Sequence, residues 1–528
     1  MDEHIALSLI AILFLTGIAS EWDGNCTSCS PDLYSNGCVI ASTVRCIGLP
    51  GSICLPSNQI PKEGAIESIS SGIDPVLILD KEGFRDSQGR LVYFRGINLG
   101  ASAKLPPFLP FEDPKWWDIL ASWGYNMVRL TIFWEAIEPE PGVYDQRYLD
   151  RVEEMVNEAS KRGIYVLLDM HQDQYSRCLK GDGAPYWALP KTVDPKDNSG
   201  ISGRFWFSAY FVSSDVRTSF SNFFQSRDLK EHYYNSWKEV AKRVSYSPYV
   251  LGYDIMNEPF GGEIPNDDGL FENGFLRPFY CEAISAIREV DPDAVGFVEP
   301  SIIDLYKSKL LPFESDRLIY APHIYKSLSW RALLSTDNKG TSFNALVDRQ
   351  KEKAEYLKMP LFIGEFGVPW DTNPLWGRDR QVNEAMAALE EEFISNAYWD
   401  LSAKNGSAWN EEDYSLIDDE GRPRGLEVNV RPYVRRLSGS PVHQSFNPDS
   451  KEYSLIFDGC LTNVTTVIYI PQTVHYPAGF MACISDGSLK YNRSIGELLY
   501  QPERPGWHYI NITALSTETK GHRAESWF

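Results

Sequence analysis

Residues 250–259 read VLGYDIMNEP, and residues 360–367 read PLFIGEFG. Each is a short, nearly continuous apolar run that ends in polar residues. A strand with one solvated face would alternate, so these two read as strands covered on both faces, as in a parallel sheet. Working outward, the same unit recurs in LVYFRGINLG (91–100), NMVRLTIFW (126–134), IYVLLDMH (164–171), AVGFVEP (294–300), LIYAPHIY (318–325) and NAYWDLS (396–402). Amphipathic stretches alternate with them: 114–124 with Pro114 in its first turn, 146–162, and helices near 228–245, 275–290, 344–358 and 378–395. Eight strands separated by helices predict a (β/α)8 TIM barrel, with a long insertion over about 172–226. No glycine-rich phosphate turn follows the first strand, which argues against a doubly wound dinucleotide fold.

The pattern changes after RPYVRRLSGSP (431–441). YSLIF, VTTVIYI and HYINIT, divided by Gly, Pro and Asn, predict a small C-terminal β-sandwich. The expected organisation is a signal peptide at 1–20, a Cys-rich segment and linker at 21–74, the barrel at 75–437, the β-sandwich at 438–514 and a disordered tail at 515–528. Ile5 to Ile18 is apolar and leads to Ala19 and Ser20, small residues suited to cleavage, although Asp2 and Glu3 replace the usual basic start. A short N-terminal anchor is the alternative reading. Five of nine cysteines (Cys26, Cys29, Cys38, Cys46, Cys54) crowd the N-terminal region without a nearby His, a disulfide pattern rather than a zinc pattern. Cys460 and Cys483 flank predicted strands and are candidates to pair. Sequons at Asn25, Asn405, Asn463, Asn492 and Asn511 predict glycosylation behind a signal peptide. The expected location is therefore secreted, in the medium, a digestive lumen or a lysosome.

A net charge of −22 is repelled by phosphate backbones, so no nucleic-acid partner is expected. The chemistry is expected where the barrel strands end. Asn257 and Glu258 end the fourth strand and Glu365 the seventh; these strands face each other across a barrel. Two carboxylates at about 5–5.5 Å suit retaining glycoside hydrolysis, one attacking the anomeric carbon and the other moving the proton. Arg129 lies within the second strand, and His171 and Asp173 follow the third. His323 and Tyr325 end the sixth strand, and Trp399 with Asp400 the eighth. Glu299, after the fifth, reads as a supporting carboxylate. No convergent ligand set suggests a metal, and no cofactor is expected.

The pair DIMNEP and FIGEFG resembles the retaining (β/α)8 glycosidases, and glycoside hydrolase family 5 in particular. The resemblance implies Glu258 as acid/base, Glu365 as nucleophile, Asn257 on the substrate 2-hydroxyl and Arg129 supporting the nucleophile. His171, His323 and Tyr325 match the family's His and His-x-Tyr positions, and Trp399 its sugar platform. FRGINLGASAKLPPF, LLDMHQDQYS, GDGAPYW, YDIMNEPFGG and YAPHIY are similar to the endoglycoceramidase group, which releases the intact glycan from ceramide. This similarity runs from about 75 to 514. It implies sugar contacts from Lys104, Asp173, Trp187, Tyr325 and Trp399, and a glycosphingolipid substrate at a micelle or membrane surface for a monomeric enzyme. YWDL departs from the Trp-Ser ending often seen at the eighth strand. The apolar loops LPPFLPF (105–111) and FWFSAYF (205–211) sit where an acyl chain could lie, or where loops pack on each other.

Overall fold

A computed structural model describes residues 53–62, 75–194, 200–304, 306–326, 342–371, 377–402, 409–459 and 463–515. The expected signal peptide, Cys26, Cys29, Cys38, Cys46, Cys460, Asn25, Asn405 and the tail from 516 lie outside the described residues.

The barrel strands are Arg95–Leu99, Met127–Ile132, Tyr165–Met170, Val250–Asp254, Gly296–Val298, a sixth in two pieces (Leu318–Tyr320 and His323–Ile324), Phe362–Phe366 and Ser395–Tyr398. All neighbours are parallel, and the eighth strand pairs with the first through Asn396 and Arg95. The first piece of the sixth strand pairs with the fifth and the second piece with the seventh. A bridge from Tyr320 to Leu361 joins the two and closes the ring. Pro322, which has no N–H to give a ladder, lies at the break. Strands two and three are buried along their whole length, as their unbroken apolar sequences require.

The helices form where amphipathic stretches meet capping residues. Asp145 caps Gln146–Ser160 by accepting from the Arg147 and Tyr148 amides. Ser226 caps Arg227–Val244, and Ser342 caps Phe343–Leu357. The insertion after the third strand carries the helix Ser214–Gln225, which buries Phe220, Phe223 and Phe224 beside Tyr233 and Phe279.

The β-sandwich is not built from C-terminal strands alone. Its five-stranded sheet runs Ile53–Pro56, Phe480–Ile484, Gly506–Ala514, Glu452–Gly459, Ser440–Asn447. Its seven-stranded sheet continues past Tyr433–Leu437 into Leu91–Val92, Phe84–Asp86 and Leu77–Leu79. The stretch 91–100, read as one strand, is thus two. Leu91–Val92 belongs to the sandwich and Arg95–Leu99 to the barrel, and between them the Tyr93 amide donates to the Arg435 carbonyl at 3.0 Å. Phe84, Val92 and Phe94 pack with Met127, Tyr165, Phe297 and Phe362, filling the N-terminal end of the barrel with apolar side chains.

Cys483 does not pair with Cys460. It is bonded to Cys54, which sits opposite it in the register of two adjacent strands 429 residues apart in sequence. We expect Cys54→Ser to lower unfolding stability by about 2–4 kcal/mol, measured by urea denaturation, because the cross-link restricts a very long loop in the unfolded chain. Cys178 and Cys281 are free and half-buried. Asn511 is 6% exposed, and its amide donates to Glu452 Oε1 at 2.9 Å and Ser454 Oγ at 3.2 Å. A glycan on Asn511 is incompatible with that packing. Asn463, by contrast, is exposed.

Candidate active site

The site is organised around a buried cation. Arg129 projects from the second strand, and its Nη1 donates to Glu365 Oε1 at 2.7 Å and to Asn98 Oδ1 at 3.1 Å. Its Nε donates to Asp254 at 2.8 Å, and its Nη2 meets Asn257, Glu299 and Asp169 at 3.0–3.1 Å. Burial opposes the guanidinium charge, but Asp169, Asp254, Glu365 and Glu299 outweigh it and hold its pKa above the usual arginine value.

Glu365 is gripped from both sides, because Tyr325 donates its hydroxyl proton to Oε2 at 2.8 Å. Glu258 faces it. One carboxylate oxygen of each residue and a ring nitrogen of His323 lie within 4.8 Å of one another. His323 Nδ1 is 2.8 Å from Glu258 Oε1 and 3.5 Å from Glu365 Oε2, and its Nε2 is 3.2 Å from Glu299. Burial disfavours a charged imidazole, yet Glu299 and Glu365 hold the His323 pKa well above its ordinary value.

Glu258 adopts φ 42°, a left-handed conformation that non-glycine residues rarely take. Its amide donates to Glu299 Oε2 at 3.0 Å, and Gln172 Nε2 donates to the Asn257 and Glu258 carbonyls at 2.9 and 3.1 Å. Glu299 therefore ties the Glu258 backbone to Arg129, the supporting part expected for it. Burial first, and the Glu365 charge after it, push the Glu258 carboxyl up to about 7, against the opposing hydrogen bond from His323.

The cleft is lined by Lys104, His171, Asp173, Trp206, Asn257, Glu258, Tyr325, Glu365, Trp399, Glu412 and Tyr414. Trp399 forms one wall, with His171 stacked on it at 5.5 Å and 9°. Gly100 permits this, since a Cβ there would sit 2.4 Å from the indole. His171 Nδ1 is 2.7 Å from Asp169 Oδ2, so its other nitrogen faces Asp173. Lys104 Nζ donates to Asp173 Oδ2 at 2.7 Å and lies 4.7 Å over Trp399 and 3.8 Å over Trp409.

The structure thus brings together Glu258, Glu365, Arg129, Asn257, His323, Tyr325, His171, Asp173, Lys104 and Trp399. Trp187 is the exception. Its Nε1 donates to the Glu138 carbonyl at 3.0 Å, and its ring packs edge-on against Trp134 and His232. The tryptophan from the insertion that does reach the cleft is Trp206, within FWFSAYF. Glu412 and Tyr414 come from the loop after the eighth strand, whose sequence has no periodicity to announce an inward side chain.

Asp400, where the strand ending departs from Trp-Ser, joins three loops. Its Oδ2 accepts from the Ala101 amide at 3.0 Å and from Ser402 Oγ, and its carbonyl accepts from the Leu416 amide at 3.2 Å. Ala101 opens the turn that delivers Lys104. Asp400→Leu is expected to raise KM for glycosides roughly tenfold, the value of about one charge-assisted hydrogen bond, while Asp400→Asn keeps an acceptor and stays near wild type. Steady-state kinetics of both variants check this.

Among the described residues, two sets of side chains could meet an ion: Glu258, His323 and Glu365, and His171, Asp173 and Asp182. In the second set the Lys104 ammonium already contacts Asp173 and takes the cation's place. In the first, His323 is engaged with the carboxylates and held as a cation itself.

A parallel barrel with two close carboxylates at the C-terminal ends of its fourth and seventh strands defines a glycoside hydrolase. Residues 88–405 match the model described as cellulase (glycosyl hydrolase family 5), and 431–513 match the glycoside hydrolase family 5 C-terminal domain, so the chain belongs to glycoside hydrolase family 5. Within it, the chain is 25% identical over 450 residues to endoglycoceramidase I of Rhodococcus hoagii, covering 79% of this chain and 84% of that one. It is 24% identical over 447 residues to an endoglycoceramidase of Hydra vulgaris, covering 75% and 80%. The solved structure of endo-glycoceramidase II from Rhodococcus sp. in a ganglioside GM3 complex superposes with TM-score 0.69 at 28% identity, covering 82% of this chain and 99% of that one.

Proposed function

We propose that the enzyme is a secreted endo-acting hydrolase of the β-linkage between glycan and ceramide in glycosphingolipids, working by double displacement. The observation that carries the reaction type is that Glu258 Oε1 and Glu365 Oε2 both approach one nitrogen, His323 Nδ1, at 2.8 and 3.5 Å, so the two carboxyls stand close together, as a retaining pair does. Glu365, hydrogen-bonded by Arg129, attacks the anomeric carbon and forms a glycosyl-enzyme. Glu258 gives its proton to the departing ceramide oxygen. It then takes a proton from the water that releases the glycan, restoring both carboxyls. In this reading Asn257 bonds the 2-hydroxyl and Trp399 supports the sugar ring; both line the cleft.

Protonated Glu258 is the working form of the first step, and its pKa lies at about 7. The value of kcat/KM is therefore expected to fall with rising pH above about 7, because the proton donor is lost. A pH–rate profile that stays level to pH 9 would contradict the assignment.

The likeness to endoglycoceramidases supports a lipid aglycone. In the loop 105–111, Phe108 packs on Phe133 and Tyr148, and Phe111 is buried against Trp117, so these two rings are already engaged. The insertion is a better candidate. It turns Trp206 inward to the cleft while Phe205, Phe211 and Val212 stay 66%, 50% and 66% exposed. Apolar side chains left in water beside a sugar site suit a lipid substrate. Phe205→Ser with Phe211→Ser is expected to cut glycolipid cleavage about tenfold and leave a soluble aryl glycoside within about twofold. An equal loss on both substrates would remove the lipid-contact role.

The apolar N-terminal run of the sequence and the Cys54–Cys483 disulfide support export to an oxidising compartment. The substrate is tested by incubating the enzyme with a ganglioside, glucosylceramide and a steryl glucoside, and identifying products by mass spectrometry. Intact ganglioside glycan plus free ceramide supports the proposal. Cleavage confined to the simple glucosides would leave the retaining mechanism and change the substrate.

A further inference from the structure

Asp169 is a fully buried acid that the double displacement does not use. It lies on the third strand, level with Thr131 of the second and Asp254 of the fourth. Each of its oxygens has one cationic neighbour. Oδ1 is 3.0 Å from Arg129 Nη2, and Oδ2 is 2.7 Å from His171 Nδ1. A chain of contacts therefore runs from Glu365 through Arg129, Asp169 and His171 to the Trp399 indole on which the imidazole stacks.

The two cations depend on Asp169 unequally. Arg129 also meets Asp254, Glu299 and Glu365, so it keeps three carboxylates without Asp169. His171 has Asp169 at Nδ1 and the indole against its face. Stacking fixes the plane of the imidazole, 9° from the indole, but a half-turn of the ring within that plane would keep the stack and exchange each nitrogen for a carbon. The Asp169 contact removes that freedom and turns Nε2 towards Asp173, another residue of the cleft lining. There Nε2 stands 3.4 Å from Asp173 Oδ2, beyond the usual hydrogen-bond range, and makes no hydrogen bond among the described residues. Asp173 Oδ2 is itself committed to Lys104 at 2.7 Å. A buried donor without an acceptor is costly, and a ligand oxygen that accepts from it removes the cost. Burial alone would lower the His171 pKa, but the Asp169 charge outweighs it and raises it to about 10, so both ring nitrogens carry protons at neutral pH.

We infer that Asp169 is a positioning residue for the glycoside: it holds His171 with Nδ1–H turned inward, so that Nε2–H is presented to a hydroxyl of the bound sugar. The other hydrogen bond of a histidine decides which nitrogen a ligand meets, and here Asp169 supplies that bond. The inference rests on the cleft being the glycoside site and is independent of the ceramide aglycone.

A double-mutant cycle on an aryl β-lactoside tests this, beside NMR of the unsubstituted enzyme. Asp169→Asn keeps the size of the side chain and removes its charge. It is expected to lower kcat/KM by about 30-fold, the loss of one charge-assisted hydrogen bond, and His171→Ala by at least as much. Because both act through one imidazole, the double variant should match His171→Ala within about threefold. Losses that multiply would overturn the inference, since that is what a separate structural role for Asp169 gives. In unsubstituted enzyme labelled with 15N-histidine, the ring signals that His171→Ala removes should show a proton on each nitrogen at neutral pH. A bare Nδ1 would overturn the inference whether or not Asp169→Asn folds. Absence of lactoside hydrolysis by the unsubstituted enzyme would count against the proposed function, and the imidazole signals would then judge Asp169 alone.

Discussion

Glu365→Gln loses about 10⁴-fold or more in kcat on every glycoside the enzyme cleaves, with no covalent adduct in the intact-protein mass. Glutamine has the shape of glutamate, so the fold should remain, with its oxygen still available to Arg129 and its amide directed at Tyr325. What is lost is the negative charge that attacks carbon. Arg129 Nη1 at 2.7 Å and Tyr325 at 2.8 Å leave each oxygen of Glu365 one strong donor, which orients the carboxylate without neutralising it. Steady-state kinetics beside a thermal melt check the prediction. Comparable turnover in a folded Gln variant would move the nucleophile elsewhere.

Glu258→Ala gives a different signature. Loss of the proton donor matters in proportion to how poor the leaving group is. A ceramide alkoxide needs the proton, so glycolipid cleavage falls by about 10³-fold or more. A dinitrophenyl glycoside leaves unaided, so its first step is nearly spared and the glycosyl-enzyme accumulates for want of a base to activate water. Azide, a nucleophile that needs no base, restores turnover and yields the β-glycosyl azide. Uniform loss across leaving groups, without azide rescue, would show that Glu258 supports structure rather than proton transfer. The same variant should flatten the alkaline limb of the pH profile, since the group raised to about 7 by burial is gone.

The barrel was legible because its strands are local: an apolar run tipped with polar residues states both its burial and which end faces the site. VLGYDIMNEP and PLFIGEFG carry this signal so clearly that Glu258 and Glu365 could be named with their strands. Arg129 was legible as a charged residue inside an otherwise apolar strand, while its place beside the nucleophile came from the family resemblance. Two of its carboxylate partners, Asp169 and Asp254, carried the same sign within their strands and went unremarked.

Pairings made across distance were not legible. Nothing near Leu91 says that it joins Leu437 in one sheet, and nothing near Cys54 says that Cys483 is its partner. Loops failed for another reason. Trp187 and Trp206 lie in the same insertion, and without periodicity their sequences do not say which one turns inward. For Phe108 and Phe111 the choice between lipid contact and packing stayed open because their partners Phe133, Tyr148 and Trp117 come from separate segments. Glu412 was passed over because its loop ends no strand.

The central claim is that the two carboxylates work by double displacement, and the configuration of the first-formed sugar tests it most directly. Proton NMR of a reaction with an aryl β-lactoside, recorded before mutarotation, should show the β-anomer of lactose appearing first and the α-anomer only later. If the α-anomer appears first, the reaction inverts, Glu365 activates water instead of attacking carbon, and the account is wrong.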